Sequence, residues 1–156
     1  MHSELYFLLQ LVYAMFLGGC IGWQRREFSG KNAGPRTHAL VSVGSALFTI
    51  LSLHAFPGDN TGRVAAQIMV GIGFIGAGMI FHNKDHVVGL TTAADIWTTA
   101  AIGMAIGAKF YLLAAGTTFL TIIILMVNDK RLPGPEKPLR RSDDLNSARK
   151  KIPEKK

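Results

Sequence analysis

Residues 89–128 read GLTTAADIWTTAAIGMAIGAKFYLLAAGTTFLTIIILMVN, and Asp95 and Lys109 are the only charged positions among them. One uninterrupted α-helix of that length would extend roughly 60 Å, twice the ~30 Å hydrocarbon core of a bilayer. The stretch therefore reads as two crossings, 89–108 and 110–128, with the chain reversing at a tight turn such as Gly107-Ala108-Lys109. Working back from it, the requirement of about 20 mostly apolar residues per crossing gives three more spans, 5–24, 37–57 and 64–82. The expected fold class is all-α: an integral membrane bundle of about five transmembrane helices.

Charge supports the count. Residues 1–128 carry 7 Lys/Arg against 5 Asp/Glu, while 129–156 carry 10 against 5. Lys and Arg accumulate on the cytoplasmic side of membrane proteins. Five spans put Arg25, Arg26, Lys31, Arg36, Lys84 and the tail on one side, and Arg63 and Lys109 on the other, a split of 15 to 2. Four spans would set the basic tail opposite the basic first loop. The expected topology is N-terminus out and C-terminus in. The tail, 129–156, mixes charge with Pro133, Pro135, Pro138 and Pro153 and has no apolar periodic face, so it reads as disordered. Its charge suits anionic lipid head groups rather than nucleic acid, or serves as a topology anchor. The first apolar run follows no basic leader region and reads as a retained helix. Cys20 is the one cysteine, which excludes an internal disulfide and any multi-cysteine metal site.

Small residues mark the faces on which helices can approach. Gly18 and Gly22 are four apart in the first span, and Gly71, Gly73, Gly76 and Gly78 crowd the third. In the fourth, Thr91, Asp95, Thr99, Gly103 and Gly107 recur at four-residue steps. Such a row lets backbones meet and threonine hydroxyls bond between helices, so it is expected to face inward. Asp95 is the one carboxylate within any span, and a bare carboxylate in hydrocarbon costs at least ~2.5–3.5 kcal/mol. It should face the bundle, with Arg36 and His38 at the start of the second span as its expected partners. A proton- or cation-responsive site and a structural ion pair both fit. The glycine pattern at residues 71–76 resembles a dinucleotide-binding turn, but it lies inside an apolar span without a preceding strand. His38, His54, His82 and His86 are too scattered to assign a metal, and His82 and His86 flank what reads as a loop. No cofactor is assigned, and no catalytic arrangement of residues points to an enzyme.

Three ordered motifs resemble the MgtC/SapB family of bacterial inner-membrane proteins. They are Ala33-Gly34-Pro35-Arg36-Thr37-His38-Ala39-Leu40-Val41; Arg63-Val64-Ala65-Ala66-Gln67 running on to the glycines at 71–78; and Gly89-Leu90-Thr91-Thr92-Ala93-Ala94-Asp95-Ile96-Trp97. The likeness covers roughly residues 10–128. It departs at Gln24, where the family usually has glutamate before Arg25, and at Pro35, where leucine is usual. The resemblance implies a plasma-membrane protein linked to growth in low magnesium, within a family that includes virulence factors and acts on other membrane machines. It marks Arg25, Arg36, Thr37, His38, Thr91, Thr92 and Trp97, with Asp95, as candidate functional residues. The expected partners are the lipid bilayer and either a homo-oligomer or another membrane protein. The longer members' soluble C-terminal domain is not expected in the 28 tail residues.

Overall fold

The computed structural model describes residues 2–29, 33–55, 61–83 and 86–127. They form five helices and one small hairpin: α1 (His2–Ser29), α2 (Pro35–His54), α3 (Thr61–Ala77), β1 (Phe81–Asn83), β2 (His86–Val88), α4 (Leu90–Gly107) and α5 (Tyr111–Met126). The expected tail, 129–156, lies outside the described residues.

Local chemistry sets the helix ends. Glu4 in the first turn of α1 and Arg26 in its last turn both complement the helix dipole. Pro35 opens α2, where its missing N–H costs nothing. The reversal between α4 and α5 falls where the sequence places it. Lys109 takes φ 69°, and backbone bonds from Lys109 N to Ile106 O and from Phe110 N to Ala105 O close the turn.

The third span differs from its expected extent of 64–82. Helix α3 stops at Ala77, and Gly78-Met79-Ile80 turns the chain into the hairpin. Apolar residues continue through Phe81, so hydropathy alone extends the span too far. The antiparallel register pairs Phe81 with Val88, His82 with Val87 and Asn83 with His86, so His82 and His86 are not one turn apart on a helix. Gly89 joins the hairpin to α4 at φ 96°, and a Cβ there would run into the Met79 carbonyl. Only glycine fits.

Two helices, Ser3–Arg26 and Pro35–His54, are long and apolar enough to cross a membrane; Gly62–Ala77 and Tyr111–Met126 are apolar but shorter. The core has two parts. Ala14, Leu17 and Ile21 of α1 pack with Ala46, Ile102, Ile106 and Ala114. Ile68 and Ile72 of α3 pack with Ala33, Ile96 and Ala100. The helices alternate in direction. Tyr6, His54 and Tyr111 meet at one end through the Tyr6–Tyr111 hydroxyl pair and the Phe7–His54 ring contact. Arg25, His38 and Thr92 meet at the other.

Candidate functional site

Three helices converge where the sequence concentrates small residues. A Cβ added at Gly18 would lie 2.6 Å from the His38 carbonyl oxygen, and one at Gly22 2.5 Å from the Pro35 Cα. From α4, Gly103 lies directly against the Ser42 backbone, and a Cβ at Gly107 would come 2.7 Å from the Ala46 carbonyl. Helix α2 is thus held backbone to backbone between α1 and α4, as small-residue packing allows. Gly71 and Gly73 have open space where a Cβ would be, Gly78 meets only carbonyls of its own turn, and Gly76 makes ordinary contact with Ala93. The expected packing role therefore belongs to Gly18, Gly22, Gly103 and Gly107, and not to Gly71, Gly73 or Gly78 within one chain.

At the end of this junction a charged cluster is closed off from solvent. Asp95 Oδ2 lies 2.9 Å from His38 Nε2 and 3.1 Å from Arg25 Nε, and all three side chains are at most 3 % exposed. The Arg25 contact is an ion pair lying off the hydrogen-bond line. Arg25 Nη2 donates to Thr92 Oγ1 at 2.6 Å. Burial of this kind is costly unless opposite charges lie together, as Asp95 does between Arg25 and His38.

Donor logic fixes one proton. His38 Nδ1 lies 2.9 Å from the Gly34 carbonyl, which can only accept, so Nδ1 carries hydrogen. Nε2 and Oδ2 then need a second proton between them, held either as imidazolium beside carboxylate or as carboxylic acid donating to neutral imidazole. In both forms the three side chains carry one net positive charge. Asp95 Oδ1, both amide atoms of Gln24 and Ser42 Oγ are buried with no hydrogen-bond partner among the described residues.

Several expectations are corrected. Arg36 is exposed and is not a partner of Asp95; Arg25 takes that place, because α1 runs past residue 24 and carries it inward. Thr91 is exposed, and the inward row of α4 begins at Thr92 instead. The buried threonines mostly bond within their own helices: Thr99 donates to the Asp95 carbonyl, Thr49 to Ser45, Thr118 to Ala114 and Thr121 to Thr117. Among the described residues, Thr92 instead meets another helix, as acceptor from Arg25. Trp97 is half exposed and Thr37 partly buried, and neither joins the cluster through a hydrogen bond or ion pair. Among the described residues no group of His, Cys, Asp and Glu could hold a metal ion.

A second polar contact, at the opposite end, was not singled out from the sequence. Gln10, buried in α1, donates to the Ile106 carbonyl at 3.0 Å and to the Tyr111 hydroxyl at 2.6 Å. Its signal was available: Gln10 is the lone amide within the apolar run from Leu5 to Ile21.

Residues 11–131 match the MgtC family. The chain is 46% identical over 129 residues to a protein of Escherichia coli K12 named "Putative magnesium transporter YhiD", covering 78% of this chain and 60% of that one. It is 44% identical over 122 residues to "Protein MgtC" of Salmonella typhimurium LT2, covering 78% and 51%. It is 45% identical over 118 residues to "Protein MgtC" of Brucella abortus, covering 76% and 48%. The chain thus spans about half to three-fifths of the length of these relatives. No solved structure matches it.

Proposed function

The chain belongs to the MgtC family, and from that premise we propose that it is a multi-pass protein of the bacterial plasma membrane that serves magnesium homeostasis as a regulator, through helix contacts with a membrane partner or further copies of itself. The link to magnesium follows the name of the E. coli K12 relative, "Putative magnesium transporter YhiD". The regulatory part rests on one contrast. The buried charge is spent inside the glycine-tight junction of α1, α2 and α4, while the outward faces are bare and apolar, with Phe74 85% and Leu112 88% exposed. Exposed apolar surface of this extent calls for lipid or a protein partner.

A second reading is a proton or cation pathway centred on Asp95. The observation favouring it is the 2.9 Å contact between His38 Nε2 and Asp95 Oδ2, with Oδ1 left unpartnered beside it. One experiment separates the two. A strain lacking the gene is grown across a magnesium series, complemented with the intact protein or with Asp95→Asn at matched membrane levels. Rescue of low-magnesium growth by both supports the regulator. Rescue by the intact protein alone favours the proton or cation reading. Failure of both removes the magnesium role.

A further inference from the structure

Between α2 and α3 runs an apolar groove of about 640 Å³, within the size range of ligand sites. Two helical rows face each other across it. Helix α2 contributes Leu40, Gly44 and Phe48 at four-residue steps, and α3 contributes Arg63, Gln67, Gly71 and Ile75 at the same spacing. Ser45, Ile68 and Ile72 are its buried lining, and open space surrounds the position of a Cβ at Gly44 and at Gly71. Leu40 and Phe48 form one exposed rim and Ile75 part of the other. Arg63 marks one end. It is exposed, and among the described residues it has no ion pair or hydrogen-bond partner.

We propose that this groove holds one phospholipid, with its phosphate on Arg63 and an acyl chain laid over Gly71 and Gly44 toward Ile75. The inference rests on the membrane reading given above. Three features select a lipid over a helix from a second copy. A guanidinium matches a phosphate with two parallel hydrogen bonds, and the start of α3 adds the positive end of its dipole. From Arg63 to Ile75 the helix rises roughly 18 Å, close to one leaflet of a ~30 Å core. A helix ~10–12 Å across would ride on the rims, whereas a chain one methylene wide fits the open space over Gly44 and Gly71.

The test uses the full chain, reconstituted in vesicles of phosphatidylethanolamine and phosphatidylglycerol, re-extracted in mild detergent and weighed by native mass spectrometry. The wild type should retain a single phospholipid. Arg63→Gln, at an exposed position, should lower retention about tenfold, as loss of a charge-assisted contact does. Gly71→Leu should fill the groove and lower retention as well, while Arg26→Gln, an exposed cation at the opposite end, should leave it unchanged. Equal retention by wild type and Arg63→Gln overturns the proposal. So does a wild-type dimer, free of lipid, that Gly71→Leu makes monomeric, because a second copy then occupies the groove. Failure of the membrane reading would show earlier and differently, as wild-type protein recovered in solution without any detergent.

Discussion

Arg25 and Asp95 are each about 3 % exposed, so neither charge can be relieved by water if the other is removed. Asp95→Asn should therefore cost about 3–5 kcal/mol, because it takes away the carboxyl group that both Arg25 and His38 meet inside the closed cluster. Arg25→Met combined with Asp95→Leu removes both charges and should recover most of that loss. Unfolding in mixed micelles, followed by circular dichroism, measures both; a double variant as damaged as the single would show that charge balance is not what holds the cluster. The sequence made Asp95 stand out, as a lone carboxylate in an apolar run. It pointed to Arg36 and not to Arg25 as partner, because the apolar pattern does not show how far α1 continues beyond residue 24. His38 was legible for a simpler reason: it opens the helix that packs on α4.

Individual helices divide into a locked set and a loose one. At Gly22 an added methyl meets the Pro35 backbone, which cannot swing aside as a side chain can. Gly22→Ala should destabilise by about 1–3 kcal/mol, as overpacking does. Gly73→Ala, with open space around it, should instead stabilise by about 0.5–1 kcal/mol through helix propensity. Paired thermal melts in detergent read the sign of each; the same sign at both positions would break the distinction. Five helices were readable from apolar length, and the α4–α5 reversal from the ~60 Å an unbroken helix would need. The end of α3 was not, because Met79, Ile80 and Phe81 are as apolar as the helix they follow. Helix α3 ends instead in a turn closed by Met79 N to Gly76 O and Ile80 N to Ala77 O, beyond which β1 pairs with β2, a long-range contact that hydropathy does not register.

Taken whole, the bundle sorts its described Lys and Arg residues by end: Arg25, Arg26 and Arg36 at the end of the charged cluster, and Arg63 and Lys109 at the other, the Lys109 ammonium over the Tyr6 ring. With the native Cys20 replaced by serine, Lys109→Cys should react with an impermeant maleimide on intact cells. Arg26→Cys should react only after permeabilisation; the opposite pattern would invert the proposed orientation. The order in which the chain is made adds a constraint in time. Thr92 follows Arg25 by 67 residues, and Asp95 comes later still. At ~5–20 residues per second, the ribosome delivers the α4 partners roughly 3–13 s after Arg25. During that interval the α1–α2 pair must wait with its arginine unanswered. Arg25's place near the end of α1 makes the wait tolerable, because a long side chain there can stay hydrated until α4 arrives. The ion cluster is thus a late event in biogenesis, formed only once most of the bundle has been synthesised.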